Sequence, residues 1–140
     1  MRRALVDAVR SADGLIIASP GYHGSVSGLV KNRGDYIEET ARDERTYLDG
    51  LPARLIVTAY GWQAIGSTLG TLRSIVHGLR GRPTPLGAGV KSIPGLFANG
   101  AWTDPAVAEQ LALIGRQVVE FAQFRRRAPT VMSTGPGNSN

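Results

Sequence analysis

Leu15-Ile16-Ile17-Ala18-Ser19-Pro20-Gly21-Tyr22-His23-Gly24-Ser25-Val26-Ser27-Gly28-Leu29-Val30-Lys31-Asn32-Arg33-Gly34-Asp35 is a continuous apolar run that passes through a Gly/Ser-rich turn into a helical segment. The first four residues have the character of a central parallel strand buried on both faces. Pro20, lacking a backbone donor, is expected to end that strand. Gly21 and Gly24 permit positive backbone angles and let main-chain N–H groups approach a bound molecule closely. Ser25 and Ser27 are candidate caps for the helix that follows, whose N-terminus offers unpaired donors and partial positive charge. Tyr22 and His23 supply ring faces and polar edges suited to a planar, polar ligand. An ordinary strand-to-helix turn with an exposed aromatic is the other reading of the same residues.

The stretch resembles the signature of the NADPH-dependent FMN reductase family of flavodoxin-like NAD(P)H:flavin and quinone oxidoreductases, Ser-Pro-x-Tyr-x-Gly-Ser-x-x-Gly-x-x-Lys-Asn-x-x-Asp. Ser19, Pro20, Tyr22, Gly24, Ser25, Gly28, Lys31, Asn32 and Asp35 fill every fixed position. Gly21 and His23 stand where members often carry Glu and Asn. The resemblance implies that Pro20, Gly21, Tyr22, His23, Gly24 and Ser25 line the isoalloxazine ring of FMN, with NADPH or NADH as hydride donor. It also implies an earlier strand and a Ser/Arg-rich loop for the FMN phosphate. Here Arg2 to Arg10 reads as the last helical turns before the family's third strand, so the chain is expected to lack the N-terminal phosphate-binding βα units.

A second candidate ligand loop is Tyr60-Gly61-Trp62-Gln63-Ala64-Ile65-Gly66-Ser67, between the strand Arg54–Ala59 and a helix for which Ser67 is a candidate cap. In open parallel sheets ligands bind at that edge. Tyr60, Gly61, Trp62 and Gly66 join the candidate set, since the resemblance implies a Gly-rich loop beside the flavin here; Trp62 and Gln63 are bulkier than the family pattern. Trp62 also reads as packing alone. Leu69, Leu72, Ile75, Val76 and Leu79 share one helical face, with Gly81 expected as the stop and His77 at the surface.

Strands alternate with helices, which predicts an α/β fold with a parallel sheet. The resemblance sharpens this to a flavodoxin-like three-layer α/β/α arrangement, N-terminally truncated. A helix is expected over Ser27–Thr40, with Leu29, Tyr36 and Ile37 inward. Pro83–Val90 reads as a shorter strand with prolines at its entry. Asn99-Gly100 marks a tight hairpin, Asp104-Pro105 a helix start, and Val107, Leu111, Ile114, Val118 and Phe121 an apolar stripe. Residues 1–127 form one expected domain and 128–140 a flexible tail rich in Gly, Pro, Asn and Ser.

The 140 residues are 42% hydrophobic and 19% charged, with no Cys and two His, which argues against disulfides, thiol catalysis and a metal site. No segment approaches the roughly 18 apolar residues of a membrane span and no signal layout opens the chain, so a cytoplasmic location is expected. The net charge of +5 is dispersed apart from Arg125-Arg126-Arg127 at a helix end, where cations offset the helix dipole. No reader motif for nucleic acid appears. The expected partners are therefore small molecules: flavin, nicotinamide cofactor and an electron acceptor. If only part of the sheet is present, the Leu15–Ala18 strand exposes an apolar edge that invites self-association; the resemblance likewise implies a homodimer or tetramer. The leading function is an FMN-dependent NAD(P)H oxidoreductase of the flavin, quinone or azo type, with no acid–base residue required. The alternative is a truncated non-catalytic relative acting as a binding or assembly module.

Overall fold

The computed structural model describes residues 2–128. Helix α1 (Arg2–Ser11) leads into strand β1 (Leu15–Tyr22), which turns back into the two-residue β2 (Ser25–Val26). Helix α2 (Gly28–Asp35) tightens into a 3-10 turn over Tyr36–Thr40, and β3 (Pro52–Ala59) follows. Helix α3 (Trp62–Gly78), β4 (Arg82–Pro83) and β5 (Ala88–Lys91) come next, then the hairpin β6 (Phe97–Ala98) and β7 (Ala101–Trp102), and finally α4 (Pro105–Arg127). The sheet runs β2-β1-β3-β4, with β5 also on β3; β1, β4 and β5 all lie parallel to β3, and β2 is antiparallel to β1. This is the expected three-layer α/β/α, flavodoxin-like arrangement.

Period-two alternation of β3 sends its residues to opposite layers. Ala53, Leu55, Val57 and Ala59 pack against Ile65, Leu69, Leu72 and Val76 of α3. Arg54, Ile56 and Thr58 face the α4 layer, where Ile114 is fully buried. A second cluster joins Val9, Ile37, Leu48 and Leu51. Each fully buried Leu or Val contributes roughly 1.5–3 kcal/mol. Helix α1 ends on the Arg45 guanidinium, which donates to the carbonyls of Val9, Arg10 and Ala12 and so satisfies acceptors that a helix C-terminus leaves orphaned.

Several expectations are corrected. Pro20 does not end its strand: β1 continues to Tyr22, and Pro20 pairs in register with Thr58. Strand β1 is not buried on both faces either. Beyond the short contact with β2, its outer edge has no partner among the described residues, and Ile16 is 49% exposed. Ser27, not Ser25, caps α2, accepting from the Val30 N–H, whereas Ser25 lies in β2. The single helix expected over Ser27–Thr40 is a short α-helix plus a 3-10 turn, and Leu29 points outward at 65% exposure.

The strand expected over Pro83–Val90 is two pieces, because Pro83 and Pro85 cannot donate and the ladder with β3 lapses between Ala53 and Ile56. Helix α3 ends before Gly81. Arg80 takes the left-handed angle (φ 63°), and the Gly81 N–H bonds back to the Val76 carbonyl, which closes a Schellman-type cap. The Asn99-Gly100 hairpin and the Asp104 cap form as expected: both hairpin residues have positive φ, and Asp104 accepts from Ala106. The expected flexible tail lies outside the described residues apart from Ala128.

Arg126 of the basic run at the end of α4 pairs with Asp13 in the loop before β1. That hydrogen bond holds the Asp13 carboxyl below the ordinary aspartate range. A carboxyl whose folded value is depressed stabilises above the unfolded value, about pH 4, and loses that contribution as pH falls through its lower folded value. The urea midpoint of the wild type is therefore expected to exceed that of Arg126→Ala near neutrality. The gap should close as the medium is acidified below about pH 4. A gap independent of pH would show that the pair contributes nothing through its charge.

Candidate functional site

Strands β1 and β3 are neighbours and parallel, so the segments leaving their carboxyl ends emerge side by side. The first is a two-residue hairpin. His23 (φ 52°) and Gly24 (φ 80°) supply the pair of left-handed angles of a type I′ turn between Tyr22 and Ser25. Asn and His tolerate that angle better than most residues, which accounts physically for the Asn that the sequence signature often has at the His23 position. Behind the turn, buried Ser19 accepts from the Ser27 N–H and ties the hairpin to the start of α2.

Gly21 does not use a positive angle; its role is contact. A Cβ there would lie 3.0 Å from Thr68 Oγ1, 3.2 Å from Ala59 Cβ and 3.3 Å from the Ala64 carbonyl. The missing side chain thus lets the β1 turn close onto the first turns of α3. A Cβ on Gly24 would in the same way come within 3.9 Å of Ser67 Oγ. The two stretches singled out in the sequence are brought together by these contacts.

The second stretch is not the extended loop expected. Helix α3 begins at Trp62, Gly61 occupies its N-cap in an extended conformation, and no side chain caps the first turn. Trp62, Gln63, Ala64 and Gly66 therefore lie on the helix, and Ser67 is a mid-helix residue rather than a cap. The uncapped first turn leaves donors directed at whatever binds there. A Cβ on Gly61 or on Gly66 would meet nothing within 4 Å.

The aromatic members of the set stand free. Tyr22 is 62%, Tyr60 84% and Trp62 63% exposed. Trp62 is nonetheless seated. Its six-membered ring lies 3.5 Å from where a Cβ on Gly89 would be, and Ile65 Cγ2 lies only 2.5 Å from that point. Gly89→Ala is accordingly expected to cost about 1–3 kcal/mol by overpacking and to displace Trp62. Urea denaturation and Trp fluorescence check this; an unchanged midpoint would mean that Ile65 yields freely.

Sequence reasoning missed Ser19, Ala59, Thr68 and Gly89, which position the site from behind. Ser19 was visible as a signature residue. The other three are legible only once α3 is known to pack on β1, β3 and β5. Together the edge offers free ring faces, left-handed glycine backbone, open space at Gly61 and Gly66, and a first helical turn that no side chain among the described residues caps. That combination suits a flat heteroaromatic ring with acceptor atoms on its rim. Among the described residues no group of His, Asp or Glu side chains is arranged to hold a metal ion. No helix among them is long and apolar enough to cross a membrane.

Comparison with known proteins bears on this site. Residues 1–92 match the family model described as NADPH-dependent FMN reductase. No curated protein sequence matches the chain. Among solved structures, an oxidoreductase from Corynebacterium diphtheriae is similar with a TM-score of 0.63 and 24% identity, covering 91% of this chain and 63% of that one. An NADH:FMN oxidoreductase in its apo form is similar with a TM-score of 0.61 and 25% identity, covering 88% and 59% respectively. The flavoenzyme NAD(P)H:(acceptor) oxidoreductase FerB from Paracoccus denitrificans has a TM-score of 0.58 and 24% identity, covering 89% and 67%. The chain thus spans about 60% of the length of the first and second of these structures.

Proposed function

Because the chain belongs to the NADPH-dependent FMN reductase family, we propose that it is a flavin-dependent NAD(P)H oxidoreductase holding FMN between its two carboxyl-end segments. Pro20, Gly21, Tyr22, His23, Gly24 and Ser25 form one wall of the proposed ring site, and Tyr60, Gly61, Trp62 and Gly66 the other. The observation that carries this reading is the close approach of Gly21 to Ala59, Ala64 and Thr68, which joins the two walls. Bound FMN supplies a ring that takes a hydride from NADPH or NADH and passes reducing equivalents to an acceptor of the flavin, quinone or azo type.

The chain's own part is positional. Tyr22, Tyr60 and Trp62 offer faces to the ring. The uncapped first turn of α3 directs N–H donors at rim acceptors, and Gly24 lets the main chain come near without a side chain between. No proton has to be moved by a side chain at these positions, which accords with a site made of glycines and aromatics.

The test is a titration of FMN with the purified chain, following quenching of flavin fluorescence. Saturable one-site quenching is expected, weakened about tenfold, or roughly 1.4 kcal/mol, in Gly61→Val. Absence of saturable quenching would overturn the flavin reading and favour the non-catalytic binding or assembly module. The proposed functional unit is residues 1–127 in the cytoplasm.

We also propose a homodimer or higher assembly, because the outer edge of β1 from Leu15 to Pro20 carries no charge and no partner among the described residues, with Ile16 and Leu29 exposed beside it. A cooperative, stable monomer in light scattering and thermal melting would refute that part.

A further inference from the structure

On the sheet face opposite α3 lies a cavity of about 540 Å³ that none of the candidate site residues lines. Its floor is Ala18 of β1, Ile56 and Thr58 of β3, and Val90 of β5; Leu111 of α4 and the β6–β7 hairpin form its walls. Ligand pockets commonly occupy roughly 300–1,000 Å³, so one small ring system fits. The lining is apolar except for Thr58 and Ser92. Their hydroxyls bond to one another at 2.8 Å, with either able to donate. One hydroxyl hydrogen is consumed in that bond, which leaves the other for an acceptor in the cavity.

The wall is aromatic and stiff. Phe97 and Trp102 meet edge to face, ring centroids 5.1 Å apart, and still leave 57% and 39% of their surfaces free. Asn99 and Gly100 hold their hairpin in a left-handed turn, and Thr103 Oγ1 donates to the Gly95 and Leu96 carbonyls at its base. A preformed aromatic wall, an apolar floor and one spare hydroxyl donor select a particular ligand. It must be flat, uncharged and apolar, with a carbonyl-type acceptor on one edge.

We propose that this cavity is a second binding site, on the reverse of the sheet from α3, for a small planar ring compound bearing a carbonyl. The ring lies against Phe97 and Trp102, and its carbonyl accepts from the Thr58–Ser92 pair. The site is independent of the proposed flavin site. It uses the α4 side of β1, β3 and β5, whereas the flavin walls are built around the β1 turn and the first turns of α3.

The probe is 9-fluorenone, which is flat, apolar and carries one carbonyl. The chain has no Cys to react with it. In a Trp62→Phe background Trp102 is the sole tryptophan, and its quenching reports occupancy. Saturable quenching is expected, weakened at least tenfold by Ala18→Leu, which fills the floor from an exposed strand position. Thr58→Val with Ser92→Ala, which removes both hydroxyls, is expected to weaken it about fivefold. Circular dichroism verifies that both variants are folded, and a variant that fails this check is replaced by Ala18→Val or by Ser92→Ala alone. Quenching that rises linearly without saturation overturns the proposal, and so does an affinity unchanged in both variants. FMN affinity, measured in parallel on chains that keep Trp62, is expected to be the same in Ala18→Leu as in the wild type. Loss of FMN binding with fluorenone binding intact would count against the flavin reading alone.

Discussion

Leu72→Ala is expected to lower the unfolding free energy by about 2–5 kcal/mol. Leu72 is 1% exposed at the middle of α3 and packs with Leu55, Val57, Leu69 and Val76, so truncation removes buried methyl groups and leaves a cavity. The surroundings have little freedom to collapse. Strand β3 is fixed by pairing on both sides, and Gly87 and Gly89 already seat their backbone against Leu69 and Ile65. In thermal melting the loss corresponds to roughly 6–20 °C, at about 3–4 °C per kcal/mol for a chain of this size. Leu72→Met, which conserves volume, is expected to stay within about 1.5 kcal/mol. If Leu72→Ala cost no more than Leu72→Met, the α3–β3 interface would not be the main core.

The second large effect concerns Arg54, which is 1% exposed and has no acidic partner among the described residues. Its Nη1 donates to the Leu86 carbonyl at 2.7 Å, in the gap that Pro83 and Pro85 open between β4 and β5. Its guanidinium stacks over Phe121 at 5.7 Å, while Nε is buried without an acceptor among the described residues. Burial pulls its pKa below the ordinary arginine value. Removal of the whole side chain in Arg54→Ala creates a void under α4 and orphans the Leu86 carbonyl, at a cost of about 2–4 kcal/mol. Arg54→Met keeps the stem and removes the buried charge but leaves the Leu86 carbonyl unpaired as Arg54→Ala does, so it is expected to recover only the packing share, about half of the Arg54→Ala cost. Urea denaturation of the pair separates packing from charge. If Arg54→Met is as damaging as Arg54→Ala, the guanidinium itself holds the interrupted strand together.

Replacements around the two glycine-bearing segments are better read through ligand binding than through stability. Tyr22, Tyr60 and Trp62 are exposed and contribute little to the core. The flavin titration therefore reads the carboxyl edge of the sheet, and the fluorenone titration its α4 face.

How much of this was legible beforehand differs by element. The alternation of strand and helix gave the α/β layering, because a buried strand and an amphipathic helix differ in period over a few residues. The hairpin at Asn99-Gly100 and the caps at Ser27 and Asp104 were readable for the same reason: their chemistry is local. Boundaries set by distant partners were not. Pro20 stays inside β1 because parallel pairing with β3 continues past it to Thr58. Trp62 starts α3 without a capping side chain, since its helix is held by packing along Ile65, Leu69, Leu72 and Val76.

The sequence by itself determined the family, the order of the elements and the two segments that meet at the sheet's carboxyl edge, since periodicity, turn chemistry and a fixed-spacing signature act over a few neighbouring residues. Only the tertiary structure decided that Gly21 serves contact rather than conformation, that Arg54 is buried without a counter-charge among the described residues and that a cavity lies behind Thr58 and Ser92. Those facts depend on which side chains from remote parts of the chain fill the same space, and close packing settles that only when strands and helices have taken their places.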